Sequence, residues 1–416
     1  MRANKVGKRM GLTNIARKIL QRQINLLGWL LHFVLLRRIR NDRVSVGLPR
    51  AVETNSNSNP KKLVHLNVNE WSFFLDLIFG YDLGFAESYM QGKWDTEDLT
   101  ALFRNLRAHS DKKSKSSIGN YAPLKLYSKF WQRLRVRNTP YWSKKNIHGH
   151  YDFSNQFFAN FLDKGMTYSC ARFDEDNATL EDAQEYKIAS LFKDSGLKRN
   201  DRILDIGCGW GRLAIKAAEE YDCEVLGVTL SEDQYEYGLE RVRERGLEDR
   251  VEILLQDYRS VTGEFDHVYS IEMLEAVGEK GLEEFLMRSR SLLVPGGTLN
   301  LQVITIPNDR YDEYKSNCDF IQRYIFPGGL LPSLEKINEA IDQTGQFELE
   351  AERSIGRHYA RTLRFWKENL LQNLPVVKEL GFHDRDIRRF LYYFSYCEAG
   401  FLDQLIDDYQ LRLRRT

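Results

Sequence analysis

The sequence predicts an α/β fold in which helices cover both faces of a parallel sheet. From about residue 180 onward, short apolar segments alternate with helix-compatible segments, which is the pattern of strand–helix–strand units. Turn signals such as Pro295-Gly296-Gly297 separate these segments. The predicted strands are residues 201–206, 224–229, 251–256, 265–271 and 298–304.

A glycine-rich loop follows the first predicted strand. Residues 202–213 read RILDIGCGWGRL, so an apolar strand ends in Asp205 and leads into Gly207, Gly209 and Gly211. Glycines permit a sharp turn and a close approach of the backbone to a ligand, and the next helix begins with unpaired N–H groups. This loop predicts a site for a nucleotide-like cofactor. Its G-x-G-x-G spacing differs from the G-x-G-x-x-G of dinucleotide enzymes.

Residues suited to a ligand also follow the other predicted strands. They are Thr229, Leu230 and Ser231 after the second strand, Asp257 and Tyr258 after the third, and Glu272 and Glu275 after the fourth. No acid lies at the tip of the second strand, where a dinucleotide enzyme holds its ribose. Because the strand ends of an open α/β sheet line one crevice, these residues and the glycine loop predict one composite site.

The positive charge of the chain is concentrated at its N-terminus. The net charge is +1, but residues 1–50 contain twelve Lys or Arg and one acid, so they carry +11 and the remainder carries −10. Such asymmetry predicts a polyanionic partner, either a membrane or a nucleic acid.

The same N-terminal region contains the longest apolar stretch, the 13 residues 24–36. A membrane-spanning helix needs about 20 residues. Arg37-Arg38-Ile39-Arg40 follows it, in place of the small residues of a signal-peptide cleavage site. Residues 12–40 are therefore predicted to form an interfacial amphipathic helix with basic flanks. The alternative is a helix that docks on its own domain or in a dimer.

Composition divides the chain between this region and the predicted sheet. Residues 54–62 form a polar break, residues 63–108 are predicted to form a short α/β or helical unit, and residues 109–120 form a linker. Residues 124–137 combine basic and apolar side chains at helical spacing. They predict either a second membrane-facing helix or a solvated cover over the main domain. The 416 residues are enough for two or three domains of about 100–200 residues each.

Several longer segments resemble cyclopropane-fatty-acyl-phospholipid synthases and the related mycolic acid methyltransferases. The segments are GFAESYMQGKWDTEDL (84–99), HYDFSNQFFANFLD (150–163), MTYSCARF (166–173), LDIGCGWGRLA (204–214), GVTLSEDQ (227–234), LLQDYR (254–259), RYIFPGG (323–329) and YCEAGF (396–401). MTYSCA and RYIFPGG have no role in a generic nucleotide fold, so this resemblance is more specific than the glycine loop alone. It extends from about residue 40 to the C-terminus.

The resemblance implies a Rossmann-like class I methyltransferase domain that uses S-adenosylmethionine (SAM). It implies this domain at residues 121–416, a smaller N-terminal lipid-binding and dimerisation domain with its linker at 45–120, and the basic arm at 1–44. A homodimer is expected on the same basis.

The resemblance also implies the residues of the SAM site. They are Tyr168 and Ser169 near the methionine end or the sulfonium, Asp205, Gly207, Gly209, Trp210 and Gly211 in the loop, Thr229, Leu230 and Gln234 on the ribose side, and Asp257 and Tyr258 at the adenine. A carboxylate suits the adenine amine as an acceptor, and aromatic faces suit a sulfonium cation. Tyr168 as a core aromatic and Gln234 as a helix-surface residue are the alternatives.

In this family, the π electrons of a cis alkene in an acyl chain attack the methyl group of SAM. The resulting carbocation loses one proton to close a cyclopropane ring. Family members hold a bicarbonate ion as the base, and its ligands match Cys170, Glu275, Ile304 and Tyr359 here. Cys170 and Ile304 would act through backbone groups, Glu275 would orient the ion, and the Tyr359 hydroxyl would hydrogen-bond to it. Bicarbonate is therefore a candidate second cofactor.

Two positions depart from the family pattern. Many relatives have histidines where this chain has Ala276 and Gln302. Glutamine donates a hydrogen bond to an anion but cannot carry its charge or shuttle a proton, so bicarbonate is expected to bind more weakly or in another state.

Glu272 adds a second acid three residues before Glu275, and one helical turn would place both on the same face. Some relatives with an acid there direct water onto the cation. The resemblance implies a cyclopropane as the product. Glu272 leaves a methyl, methylene or hydroxylated methyl branch as the alternatives. A loop acid that caps the next helix is the structural alternative for Glu272.

Cys397 matches a cysteine long discussed as catalytic in this family. A thiolate beside an alkylating sulfonium would itself be alkylated, and free cysteines are usually buried. Cys397 is therefore predicted to be a core or pocket-wall residue.

The leading prediction is a SAM-dependent C-methyltransferase that acts on unsaturated phospholipid acyl chains at the inner face of the membrane. The five cysteines form no C-x-x-C pair, so a reducing cytosol fits best and no metal is expected. The alternatives are a small-molecule methyltransferase, which the alanine at 276 disfavours, and a non-catalytic SAM- or lipid-binding protein. Nucleic acid is not expected as a partner, because the basic arm lacks a recognition motif.

Overall fold

The computed structural model of the chain describes residues 44–48, 64–112 and 153–416. The predicted helices at 12–40 and 124–137 lie outside the described residues, as does most of the predicted linker. No helix in the described part of the chain is long and apolar enough to cross a membrane.

The described residues form two compact units. The first contains the described residues up to 112 together with 383–399, and the second contains 153–382 and 400–416. The predicted domain boundaries near residues 44 and 120 stay predictions, because the chain on at least one side of each is not described.

The first unit is a small α/β unit, as residues 63–108 predict. Its sheet has the order β1-β2-β3, with β1 at Val44–Gly47, β2 at Val64–Val68 and β3 at Trp94–Asp95. Its helices are α1 (Phe73–Met90, interrupted at Tyr81), α2 (Leu99–Lys112) and most of the helix Asp384–Leu402.

Trp94 lies in the core of the first unit. It is fully buried, and its ring centroid is 4.3 Å from that of Phe85. Its indole N–H donates to the Phe85 carbonyl and to the Ser88 hydroxyl, both at 3.0 Å. The polar edge of this large aromatic residue is thereby satisfied inside an apolar core.

The second unit contains a seven-stranded sheet of order β6-β5-β4-β7-β8-β10-β9. Its strands are β4 (Arg202–Ile206), β5 (Glu224–Thr229), β6 (Val251–Leu255), β7 (Phe265–Ile271), β8 (Leu293–Thr305), β9 (Phe347–Ser354) and β10 (Asp407–Arg415). The five strands predicted from the sequence are present and parallel to one another. β8 begins five residues before its predicted start, so Pro295-Gly296-Gly297 lies within this strand and not in the predicted turn. Two unpredicted strands extend the sheet, because β10 pairs antiparallel with both β8 and β9.

Helices precede and connect the strands of this sheet. They are α3 (Asn155–Ala159), α4 (Leu180–Ser195), α5 (Arg212–Tyr221), α6 (Glu232–Glu244), α7 (Gly281–Leu292), α8 (Asn308–Ser316), α9 (Phe320–Tyr324), α10 (Leu334–Thr344), α11 (Gly356–Gln372), α12 (Leu374–Glu379) and α13 (Asp384–Leu402). Only the last residues of α13 belong to this unit.

Both faces of the sheet are covered, as predicted. Successive residues of β4 point to opposite faces, and Ile203 and Leu204 belong to two different apolar clusters. Ile203 packs in the cluster that contains Phe192 of α4, and Leu204 packs in the cluster that contains Phe285 of α7. The strand order reverses at β4, which pairs with β5 on one side and β7 on the other. The crevice at the carboxyl ends of these strands is the usual ligand position in such sheets.

Candidate active site

The glycine loop forms the floor of this crevice. Gly207, Gly209 and Gly211 have φ angles of +79°, +55° and +81°, a region that favours glycine. A Cβ atom on Gly211 would lie 3.1 Å from the Ile253 side chain. The Gly207 amide donates to the Val228 carbonyl of β5 at 2.9 Å, so the loop is held close to the neighbouring strand.

Asp205, near the end of β4, has a carboxyl oxygen that is available for a contact with a cofactor. Its side chain is buried, and among the described residues its Oδ2 atom has no hydrogen-bond partner. Burial raises the pKa of Asp205 to about 7, and the positive charge of Lys187 acts in the opposite direction. A buried carboxyl oxygen without a partner suits a ligand with N–H or O–H donors, which SAM has.

The predicted ribose-side residues lie together at the end of β5. Thr229 and Gln234 are buried, and the Thr229 hydroxyl donates to Gln234 Oε1 at 2.8 Å. The Ser231 hydroxyl accepts the Gln234 amide and thereby caps α6. Leu230 is half-buried between them. Gln234 is thus a buried residue and not the helix-surface residue of the alternative.

The predicted adenine-side residues follow β6. The Asp257 carboxylate accepts hydrogen bonds from the backbone and guanidinium of Arg259, and these bonds lower the pKa of Asp257 although burial opposes them. Tyr258 packs its ring 5.4 Å from that of Phe285. Asp257 therefore already has a cationic partner, and a contact with the adenine amine stays a prediction.

The predicted methionine-side residues are held by α4. The Lys187 ammonium donates to the Ser169 hydroxyl at 2.6 Å, and the Gln184 side chain donates to the Ser169 carbonyl at 2.9 Å. Lys187 is almost fully buried, and burial lowers its pKa against the opposing charges of nearby acids. Sequence reasoning missed Lys187. The pattern that could have revealed it is a lysine on the apolar face of α4, four residues after Ala183 and four before Leu191.

Aromatic side chains surround Tyr168 and continue to Tyr359. The Tyr168 ring centroid lies 5.3 Å from that of Phe158 and 5.2 Å from that of Trp366. Tyr359 lies 6.1 Å from Trp366 and stacks on Phe401 at 4.5 Å. This aromatic cluster is apolar, and the faces of aromatic rings attract cations.

Trp210 of the glycine loop is buried in the same region. Its indole N–H donates to Asn155 Oδ1 at 2.7 Å, and its ring lies 5.3 Å from that of Phe158. It connects the loop to this aromatic region, and its contact with the cofactor stays a prediction.

The acid Glu272 lies at the centre of the predicted catalytic residues. Its Oε1 atom accepts the backbone N–H of Cys170 at 2.7 Å and the amide N–H of Gln302 at 2.8 Å. Its Oε2 atom accepts the Tyr359 hydroxyl at 2.6 Å. Burial raises the pKa of Glu272, and these hydrogen bonds, Tyr359 first, act in the opposite direction. Four of the predicted residues are therefore joined by three hydrogen bonds.

The local structure around Glu272 differs from the expected helical turn. Glu272 directly follows β7 with a φ of +53°, and only residues 274–276 form a short 3₁₀ turn. The prediction that Glu272 and Glu275 share one helical turn is wrong. They still lie close enough for the charge of Glu272 to act on Glu275.

Glu275 is bound to the next strand. Its Oε1 atom accepts the backbone N–H of Ile304 at 2.6 Å, while its Oε2 atom has no partner among the described residues. Burial, followed by the charge of Glu272, raises the pKa of Glu275 to about 8. Its carbonyl accepts the N–H of Leu330, the residue after the RYIFPGG segment. That segment is thereby connected to the site.

Two residues of β10 complete the site, and sequence reasoning missed both. Asp408 and Gln410 are buried, and each makes a hydrogen bond to the Gln302 side chain at 3.1 Å. The pattern that could have revealed them is the alternation of DDYQLRL, in which an acid and an amide share one side of a strand.

Cys397 lies on α13 and is half-buried. It belongs to the first unit, whereas the residues around Glu272 belong to the second. Its prediction as a pocket-wall residue therefore stays a prediction.

A mostly parallel sheet, a glycine loop at its switch point and a buried carboxyl group near the end of β4 are typical of class I SAM-dependent methyltransferases. A family model described as mycolic acid cyclopropane synthetase matches residues 139–411. The chain belongs to this family, and SAM is its cofactor.

Relatives of known name agree with this assignment. The chain is 38% identical over 351 residues to the tuberculostearic acid methyltransferase UfaA1 of Mycobacterium tuberculosis. The aligned residues cover 80% of this chain and 79% of that protein. It is 35% identical over 359 residues to the cyclopropane-fatty-acyl-phospholipid synthase of Escherichia coli K12, which covers 84% of this chain and 87% of that protein.

Solved structures agree as well. The cyclopropane synthase MmaA2 from Mycobacterium tuberculosis is 32% identical with a TM-score of 0.61, and the match covers 65% of this chain and 98% of that one. The mycolic acid cyclopropane synthase CmaA1 in complex with SAH and CTAB is 31% identical, with the same TM-score and coverage.

Proposed function

We propose that the protein transfers the methyl group of SAM to a cis double bond in an acyl chain of a phospholipid, and that Glu272 takes up the proton released. One observation carries this proposal. The Glu272 carboxylate accepts hydrogen bonds from the Cys170 amide and the Tyr359 hydroxyl, two of the groups that the family resemblance implies for bicarbonate. A side chain of the protein thus takes the position expected for a free anion.

Because Glu272 already accepts the hydrogen bonds of these donors, they are not available to a bicarbonate ion. No step is therefore assigned to bicarbonate. Gln302 suits a carboxylate partner because it donates one hydrogen bond without bringing a charge. A tethered base also needs no ion from solution, which removes an entropic cost from each turnover.

The reaction needs a methyl donor, a wall that tolerates cations and a base. SAM supplies the methyl group as an electrophile. One alkene carbon forms a bond to the methyl carbon while the bond between the methyl carbon and the sulfur breaks. The other alkene carbon becomes cationic. The faces of Tyr359, Trp366 and Phe401 stabilise this positive charge. Glu272 then accepts one proton from the substrate.

The origin of that proton decides the product. If it comes from the transferred methyl group while that carbon bonds to the cationic carbon, the product is a cyclopropane. A methylene branch forms when the cation first moves by a hydride shift and the same methyl carbon then loses a proton to form a new double bond. The relative named tuberculostearic acid methyltransferase makes this branch the second candidate. A saturated methyl branch would further require a hydride donor.

We further propose that the protein works as a homodimer at the inner face of the membrane. The charge of the N-terminal arm supports the membrane, since each of its twelve basic residues contributes about 1 kcal/mol near an anionic surface. The dimer is supported by the family resemblance alone. The relative named a cyclopropane-fatty-acyl-phospholipid synthase supports a phospholipid as substrate.

The test is an incubation of the purified protein with methyl-labelled SAM and vesicles of phospholipid that carries a cis-monounsaturated chain. Mass spectrometry is expected to show fatty acids heavier by one methylene group. Mild hydrogenation separates the candidates, because a cyclopropane resists it and a methylene branch takes up hydrogen. Vesicles with only saturated chains are the control. SAM binding without label in the lipid would contradict the proposal.

A further inference from the structure

The side-chain amide of Gln302 is anchored at both ends. Its nitrogen lies 2.8 Å from Glu272 Oε1, 3.1 Å from Asp408 Oδ2 and 3.3 Å from the Cys170 carbonyl oxygen. Its oxygen accepts the side-chain N–H of Gln410 at 3.1 Å. A half-turn of this amide would place its oxygen against two carboxyl groups. The surroundings therefore select the orientation in which Gln302 donates to Glu272.

The register of β8 and β10 brings these anchors to the site. Asp408 pairs with Ile304, and Gln410 pairs with Gln302. Alternate residues of a strand lie on the same face, so Asp408 and Gln410 share the face that carries the Gln302 side chain. The anchors come from a strand more than 100 residues away in sequence.

The surroundings of Asp408 disfavour its ionised form. The residue is fully buried, and its Oδ1 atom has no hydrogen-bond partner among the described residues. The titratable groups that face it are Glu272, Glu275, Lys187 and the Cys170 thiol. Burial raises the pKa of Asp408 well above its usual value, the two glutamates raise it further, and Lys187 opposes them.

Burial also raises the pKa of Glu272, but its hydrogen bonds oppose that rise. Glu272 accepts three hydrogen bonds, from a backbone N–H, a phenolic hydroxyl and the Gln302 amide. Hydrogen bonds to a carboxylate stabilise its charge, and Asp408 accepts fewer of them, one from the Gln302 amide and one from the Cys170 thiol. Of these two neighbouring acids, Asp408 therefore retains the proton and Glu272 carries the charge.

We propose that Asp408 is a positioning residue for the base: as a neutral acid it anchors, together with Gln410, the Gln302 amide that donates to Glu272. This inference rests on the proposed role of Glu272. It gives a role in the reaction to β10, a strand that contains neither the glycine loop nor any of the family motifs.

The test compares Asp408→Asn with Asp408→Leu in the methyl-transfer assay. Asparagine keeps an oxygen acceptor without a charge, so the rate is expected to stay within about twofold of the wild type at every pH. Leucine removes one of the acceptors that orient the Gln302 amide. The acidic limb of the pH–rate profile is then expected to move about one pH unit higher, which is about a tenfold loss of rate below that limb. A loss with asparagine as large as with leucine would overturn the proposal.

Asp408→Leu in a Gln302→Leu background shows whether Asp408 acts through Gln302. Asp408→Leu is expected to move the limb no further in that background, because the group that it positions is already absent. An equal shift in both backgrounds would overturn the proposal. If Asp408→Leu does not fold, Gln410→Leu removes the anchor at the other end of the amide. The same shift is expected, and a profile identical to the wild type would overturn the proposal.

Infrared difference spectroscopy gives a readout that does not need turnover. At neutral pH, Asp408→Asn is expected to lose one carbonyl band of a protonated carboxylic acid. The matched control is Asp407→Asn, whose carboxylate instead accepts the Ser354 hydroxyl and the Gly356 amide and which should keep that band. An unchanged spectrum in Asp408→Asn would overturn the neutral state of Asp408. Loss of the band in a protein that methylates no lipid would count against the proposed function alone.

Discussion

Glu272 has a backbone conformation that is unfavourable for a residue with a side chain. Its φ of +53° lies in the left-handed region, which costs an L-residue about 1–2 kcal/mol relative to glycine. The three hydrogen bonds of its carboxylate and the bond from its own N–H to the Gln302 carbonyl hold this conformation. Strain of this kind persists where the surroundings over-determine a residue, and it is common at active sites.

We expect Glu272→Gln to lower methyl transfer by about 10²–10⁴-fold, the usual contribution of a general base. SAM binding, measured by calorimetry, should stay within about twofold of the wild type, because the substitution is nearly isosteric. Glu339→Gln is the matched control, since this exposed carboxylate only pairs with Lys336 on the surface. Full activity of Glu272→Gln would rule out Glu272 as the base.

We expect the wild-type rate to be independent of bicarbonate, because Glu272 binds the donors that such an ion would need. The measurement is the methyl-transfer rate in carbonate-free buffer with and without added bicarbonate. Glu272→Gly suits the left-handed backbone and leaves those donors free, so its low rate should rise when bicarbonate is added. A wild-type rate that depends on bicarbonate would contradict this prediction.

Glu275 should make stability depend on pH. Its pKa of about 8 lies above the ordinary carboxyl value of 4.5, so its contribution to stability is present below pH 4.5 and is lost as the pH rises to about 8. Glu275→Gln cannot ionise. Urea unfolding should therefore show the variant gaining stability relative to the wild type between pH 5 and pH 8, and a constant difference over this range would contradict the prediction.

At the scale of elements, the glycine loop shows two different requirements for glycine. Gly209 and Gly211 both have positive φ angles, but only Gly211 is also close to another residue. A Cβ atom on Gly209 meets nothing within 4 Å, whereas one on Gly211 meets Ile253 at 3.1 Å. The first position needs glycine for its backbone alone, and the second needs it for backbone and packing.

We therefore expect Gly211→Ala to be more harmful than Gly209→Ala. Gly209→Ala should lower the free energy of unfolding by about 1–2 kcal/mol, the cost of a left-handed alanine. Gly211→Ala adds the contact with Ile253, so it should lose more stability and bind SAM more weakly. Urea unfolding and calorimetric titration measure both quantities. Equal losses in the two variants would show that the contact has no effect.

At the scale of the whole molecule, charge is separated along the chain. Residues 1–50 carry +11, and the remaining residues carry −10. A basic arm attached to an acidic body can be attracted to an anionic membrane while the body stays in solution.

We expect binding to anionic vesicles to weaken strongly as salt is raised from about 0.1 M to about 1 M, because the Debye length falls from about 10 Å to about 3 Å. Vesicle sedimentation measures the bound fraction. Replacement of Arg37, Arg38 and Arg40 by glutamate should give the same weakening at low salt, with SAM binding unchanged. Binding that depends on neither salt nor these arginines would contradict an electrostatic role of the arm.

The sequence alone predicted the parallel strands and the glycine loop, and the family resemblance implied Cys170, Glu275, Ile304 and Tyr359 as candidate site residues. These features are readable because strand periodicity, turn chemistry and short motifs depend on neighbouring residues. The hydrogen bonds of Glu272 with Cys170 and Tyr359 could not be predicted from the sequence, because they join residues 102 and 87 positions apart.

Only the tertiary structure decided which side chains surround the base. Asp408 and Gln410 reach Gln302 because β10 adds to the sheet antiparallel to β8 in one register, and a shift by one residue would turn both away. Lys187 lies beside Ser169 because α4 packs its apolar face, with this lysine on it, against the sheet. Strand register and helix packing follow from the burial of the whole core, and no local segment of the sequence contains that information.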